Sequence, residues 1–115
     1  MTYRTEVDLL GNLEIANQLY YGIHTQRALQ NFQISNSKIS EYPIFIKSLI
    51  LTKKACASAN EEIGTLPEKT TGMIIDACDA ILNDLPNYLT YFPLDVFQGG
   101  AGTSVNMNVN EVIAL

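Results

Sequence analysis

Apolar positions fall into helical spacing over the middle of the chain and into no stable period at its start. From Pro43 to Ile63, the residues Phe45, Leu49, Cys56, Ala59 and Ile63 recur at intervals of three, four and seven, which predicts one long amphipathic helix. Pro43 suits its first turn and Gly64 its stop. Thr65 and Glu68 then have the spacing of a capping box, in which each side chain satisfies a free backbone donor. They predict a second helix whose buried stripe is Ile74, Cys78 and Ile81, with Ala77 beside them. Gly72 weakens its first turns by roughly 1 kcal/mol relative to alanine. Asp76, Asp79 and Asp84 fall elsewhere and read as a solvated face.

Two shorter helices flank this pair. Thr25 is placed to cap one in which Ala28 and Phe32 share a face, and a last one starts within "NMNVNEVIAL" with Thr103 or Ser104 as its cap. Between them, "NDLPNYLTYFPLDVF" carries two prolines that forbid a continuous helix. Residues from Met1 to about Leu19 read as an extended arm that packs onto something else. The predicted class is mainly α, with little or no sheet.

Composition narrows the function classes. The 115 residues suit one domain with a real hydrophobic core, and 47% hydrophobic against 17% charged residues argues for a folded chain. At a net charge of −5, with seven scattered basic residues, there is no basic stripe for a phosphate backbone, so a nucleic-acid partner is not expected. The most apolar stretch, "PIFIKSLIL", is too short to span a bilayer, and "MTYRTEVDLLGN" has charges where a signal peptide needs an apolar core. A soluble cytoplasmic protein without a membrane partner is the expectation. Cys56 and Cys78 lie in helical segments away from any Cys-x-x-Cys pattern and read as small reduced core residues, with no metal site.

The candidate chemistry lies in "FQGGAGTSVNMNVNEVIAL". Gly99, Gly100 and Gly102 let a ligand approach the main chain, and the helix that follows presents free N–H groups and the positive end of its dipole to the turn. With no lysine beyond Lys69, phosphate cradling fits poorly; a small carboxylate held by hydroxyls and amides fits better. The bland alternative is a glycine corner before an ordinary helix, with asparagines that only cap it. Asn106, Asn108 and Asn110 alternate in a way that puts polar groups on more than one helix face, which suits a helix buried in an assembly.

"GGAGTSVNMNVNEV", together with "YYGIHTQRALQNFQIS", closely resembles the N-terminal region of the aspartase/fumarase superfamily, and the resemblance runs from Glu6 to Leu115. "GGAGTS" is similar to the ammonia-lyase branch, whereas fumarases carry a threonine-glycine-serine version of that loop. The resemblance implies reversible β-elimination of L-aspartate to fumarate and ammonia, with no metal or organic cofactor. It implies a homotetramer whose active sites form where three subunits meet. It also implies substrate contacts at Gly102, Thr103 and Ser104, Thr103 the firmest, with Ala101 lining the turn and Asn106 either binding or shaping it.

The chain departs from the family pattern at Ala16, where an arm proline is usual. It also lacks the late glycine-containing loop, resembling Gly-Ser-Ser-x-Met-Pro-x-Lys, that carries the general-base serine, and the middle threonine-histidine segment. The expectation is therefore an inactive N-terminal piece, residues 1–115 of a longer lyase whose central helical-bundle and C-terminal domains are not included, with no catalytic residue of its own. A fumarase-like hydratase piece and a stand-alone helical interaction module are the alternatives. His24 and Arg27 stay outside the catalytic set: the first suits capping or packing, the second a salt bridge as well as a carboxylate fork.

Overall fold

A computed structural model describes residues 2–115. Its elements are a two-stranded antiparallel hairpin, β1 (Tyr3–Asp8) and β2 (Gly11–Ala16), and five helices: α1 (Ile23–Asn31), α2 (Pro43–Glu62), α3 (Glu68–Asn83), α4 (Leu85–Tyr88) and α5 (Thr103–Ala114). The mainly helical class holds, and the small sheet is confined to the arm.

That arm is a hairpin because its alternation is strict but inverted. Tyr3, Thr5 and Val7 face outward, while Arg4, Glu6 and Asp8 point toward the body, the reverse of a half-buried strand with an apolar inner face. Each inward charge has a partner. Arg4 donates to the carbonyls of Ala16, Leu19 and Tyr21 and pairs with Glu6; Glu6 accepts from the Ile23 amide; Asp8 pairs with Arg27. The reversal at Leu9 and Leu10 is closed by Gly11, whose φ of +117° is open to glycine.

α2 and α3 lie antiparallel, and three details differ from the sequence pattern. In α2 the core takes Ile46, Ile50 and Ala57, with Leu49 partly covered, whereas Phe45, Cys56, Ala59 and Ile63 are exposed. The helix is apolar on nearly every side from Ile44 to Leu51, so spacing alone permits two stripes one residue apart. Cys56 is accordingly a surface thiol, while Cys78 is buried and its thiol is pushed up by desolvation.

The capping box does not form either. Gly64, at φ +83°, ends α2 with its N–H on the Glu61 carbonyl and the Thr65 N–H on that of Asn60. The Thr65 hydroxyl also donates to Asn60, and α3 starts behind Pro67. Its inner face is Thr71, Cys78 and Ile81, with Ile74 partly covered. Asp76 and Asp84 are exposed, while Asp79 receives a hydrogen bond from Lys54 Nζ at 2.6 Å.

α5 runs through the middle of the assembly of helices. Val105, Val109 and Val112 join Ile46, Ile50, Ile81, Phe92 and Leu94 in one core. Asn108 is fully buried on the same helix and donates through Nδ2 to the Tyr91 carbonyl at 2.9 Å. One of the three alternating asparagines is thus absorbed by the chain's own core. Asn106 is exposed and accepts from Lys53 Nζ, and Asn110 is half-buried beside Met107.

Candidate functional site

The glycine-rich turn is held from behind by two side chains absent from the sequence expectation. Asp95 is 5% exposed; its carboxylate accepts from the amides of Ile34, Ser35 and Phe97 at 2.6–2.9 Å and from the Ser35 hydroxyl at 2.8 Å. The Ser35 and Phe97 amides lead in lowering its pKa to about 2. Gln98 follows: its Nε2 donates to the Asp95 carbonyl at 2.9 Å and its Oε1 accepts from the Val105 amide at 3.0 Å. Gln98 therefore caps α5 from outside the turn. A polar residue placed just before a glycine pair was the available signal.

The turn itself folds through a Gly102 N–H to Gly99 carbonyl bond of 3.0 Å, and Gly102, at φ +78° and ψ 15°, is the residue from which α5 starts. Neither Thr103 nor Ser104 caps the helix, contrary to expectation; both lie in its first turn. With the Gln98 amide on Val105 and the Gly102 carbonyl on Asn106, the backbone N–H groups of Thr103 and Ser104 have no partner among the described residues. Their hydroxyls are in the same condition. Four neutral donors thus stand at the positive end of α5.

The five expected site residues share the turn but not one cavity. Ala101, Gly102 and Asn106 line an open groove of about 400 Å³ whose far wall is apolar, with Ile39, Tyr42, Phe45, Leu49 and Val96. Ser104 lines a separate hollow of about 190 Å³ with Asp8, His24 and Arg27. Thr103 is exposed and lines neither. No group of three or more His, Cys, Asp or Glu side chains suited to a metal ion occurs among the described residues.

α1 meets α5 at its own N-terminus. Thr25, expected as its cap, is the third residue of the helix and fully buried. The capping groups come instead from far along the chain. Glu111 Oε2 accepts from the His24 amide at 3.0 Å, and Oε1 accepts from the Thr25 amide at 2.9 Å and the Thr25 hydroxyl at 2.5 Å. Glu6 takes the Ile23 amide at 2.9 Å. Two carboxylates at a helix N-terminus satisfy its free donors and its dipole together. His24 contributes its backbone to this contact, and its ring Nδ1 is buried without a partner among the described residues. Arg27 is engaged by Asp8 through both Nε, at 2.7 Å, and a terminal nitrogen, at 2.9 Å.

Known proteins share this sequence and this fold. Residues 11–115 match the family described as Lyase. The chain is 53% identical over 111 residues to an aspartate ammonia-lyase of Escherichia coli, covering 96% of this chain and 23% of that relative. Another, from Corynebacterium glutamicum, is 52% identical over 97% of this chain and 21% of its own length. Among solved structures, a fumarate lyase:delta crystallin from Brucella melitensis superposes with a TM-score of 0.92 at 45% identity, covering 98% of this chain and 24% of that one. A class II fumarase from Schistosoma mansoni does so with 0.82 at 31% identity, covering 97% and 23%. The chain thus spans about a quarter of the length of the proteins it matches.

Proposed function

The chain belongs to the Lyase family that its residues 11–115 match, and from that membership we propose that it supplies the substrate turn of an aspartate ammonia-lyase. It acts as the N-terminal domain, residues 1–115, together with polypeptide corresponding to the remaining three quarters of its relatives. The reaction is the reversible elimination of ammonia from L-aspartate. A base takes a C3 proton, the freed electron pair forms the double bond of fumarate, and the C2–N bond breaks to release ammonia. Negative charge builds on the carboxylate beside C3 before that bond breaks, so what the reaction requires is preorganised donors aimed at that carboxylate.

The observation that carries this reading is the set of unpartnered N–H and hydroxyl donors on Thr103 and Ser104, presented by the left-handed Gly102 at the start of α5. Thr103 is the principal contact, Gly102 and Ser104 flank it, Ala101 gives the turn its close approach, and Asn106 holds the groove side. The general base comes from outside these residues. The working form is a homotetramer of the cytoplasm with a small dicarboxylic substrate. A net charge of −5 disfavours nucleic acid, and no helix among the described residues is long and apolar enough to cross a membrane.

Steady-state fumarate formation from L-aspartate, by the full polypeptide carrying this sequence and by its Thr103→Ala variant, tests the reading. Activity on aspartate that falls sharply in the variant supports it. Turnover of malate in place of aspartate would reassign the chain to the hydratase branch, toward which the fumarase likeness points.

A further inference from the structure

Glu111 sits two turns into the helix whose first turn carries the substrate donors. Ser104 and Glu111 are seven residues apart, which places them on one face of α5 about 10 Å apart along its axis. That face is turned to α1: Ser104 lines a hollow with His24, Arg27 and Ala28, and Glu111 accepts three hydrogen bonds from His24 and Thr25. The contact is close enough that a side chain at residue 22 would displace it. A Cβ on Gly22 would lie 2.9 Å from Glu111 Cδ and from Glu6 Oε1, and would run into Glu111 Oε2.

We propose that Glu111 is a positioning residue for the elimination: by clamping the N-terminus of α1 it sets the rotation and axial position of α5, and so where Thr103 and Ser104 present their donors. The inference rests on the substrate-turn reading above. Three connections make α5 behave as one lever. Its valine stripe fixes which face is buried, Asn108 ties its middle to the Tyr91 carbonyl, and Gln98 ties its first turn to the Asp95 segment. To these Glu111 adds three charge-assisted hydrogen bonds from α1, bonds of the strong class, where α2 gives α5 the single one from Lys53 to Asn106. A helix is stiff over two turns, so a shift at Glu111 reappears at the turn.

Glu6 provides the internal control. It caps the same helix at Ile23 but comes from the hairpin, so removing it weakens the α1 terminus without releasing α5. Glu111→Gln keeps the side chain's shape but replaces one acceptor oxygen with an amide donor that faces backbone N–H groups. Thr25→Val removes one of the three bonds and keeps the other two, which guards against a Glu111 variant that does not fold.

The test uses the full polypeptide carrying this sequence, with wild type, Thr103→Ala, Glu6→Gln, Glu111→Gln and Thr25→Val compared. Readouts are kcat and KM for aspartate, thermal midpoint, and hydrogen exchange at the amides of Val105 and Asn106, the first hydrogen-bonded ones of α5. Expected is a kcat loss on the order of tenfold to a hundredfold for Glu111→Gln, a smaller loss for Thr25→Val, and faster exchange at Val105 and Asn106 in both. Glu6→Gln should lower the midpoint with kcat and exchange near wild type. Equal kcat and exchange in the Glu6 and Glu111 variants would overturn the proposal and leave Glu111 a plain helix cap. If Thr103→Ala retains wild-type kcat, the substrate-turn reading fails and the catalytic role of Glu111 falls with it. The two failures are thereby distinguished.

Discussion

Arg27 grips Asp8 with two parallel hydrogen bonds, from Nε to Oδ2 at 2.7 Å and from a terminal nitrogen to Oδ1 at 2.9 Å, and so fastens the hairpin to α1. A third contact, to the Gly11 carbonyl at 3.2 Å, fixes the fork over the end of the hairpin. The guanidinium holds the Asp8 carboxyl below its ordinary range, and Asp8 in turn raises Arg27. The one arginine in the second motif is therefore occupied inside the chain, which leaves carboxylate recognition at the turn to neutral donors. Asp8→Asn should lower the thermal midpoint by no more than a few degrees, because the pair is partly open to solvent. The difference from wild type should shrink in molar salt; a difference independent of salt would show that packing, not charge, holds the hairpin.

Thr103→Ala in the full polypeptide should reduce kcat for aspartate by on the order of a hundredfold or more, about 2–4 kcal/mol, if its hydroxyl acts as an oxyanion donor does. Thr103→Ser should recover most of that loss, since the hydroxyl is retained. Unchanged kinetics in the alanine variant would remove Thr103 from the site.

Asp95 makes stability depend on pH in acid. Its folded pKa of about 2 lies below the ordinary 3.8, so the unfolded chain takes up the proton first. Its stabilising contribution is complete above the ordinary value and disappears as pH falls through about 2. Thermal midpoints of wild type and Asp95→Asn should therefore differ at neutral pH and converge in that window. A gap that stays constant down to the acid limit would mean that the ionised carboxylate is not what the Ser35 and Phe97 amides recognise.

Gly22→Ala should cost about 1–3 kcal/mol in urea unfolding, the range for losing helix-capping hydrogen bonds. Gly22 has a negative φ, so alanine meets no backbone strain, and the penalty comes from displacing the Glu6 and Glu111 carboxylates. A neutral substitution would show that both carboxylates can step aside.

Asn108→Leu should destabilise by about 1–3 kcal/mol even though leucine nearly matches its volume, because the Tyr91 carbonyl loses the donor that fully buried Asn108 supplies. A leucine variant as stable as wild type would mean that the carbonyl finds another partner, and would reduce Asn108 to a space-filling residue.

Much of this was legible in the residue order. Pro43, Gly64 and the Ile74, Cys78, Ile81 spacing set out α2 and α3, and "GGAGTS" ahead of a helix marked the turn, because prolines, left-handed glycines and helical repeats act over a few neighbouring residues. The hairpin was not: the start of the chain shows no stable apolar period and reads as an extended arm, because the strand side that faces inward is the charged one, Arg4, Glu6 and Asp8, against the usual rule.

The sequence by itself determined which segments are helical and where the chain must bend, since those are local backbone preferences. Only the tertiary structure decided which of two apolar stripes on α2 is buried, and that the α1 terminus is capped by Glu6 and Glu111 in place of Thr25. The same holds for the capping of α5 by Gln98, which leaves Thr103 and Ser104 free to donate. A free N–H or an apolar face states a need that any suitable partner can meet. Which partner meets it depends on what the rest of the chain brings within 3 Å, and Glu111 is brought there from 86 residues away.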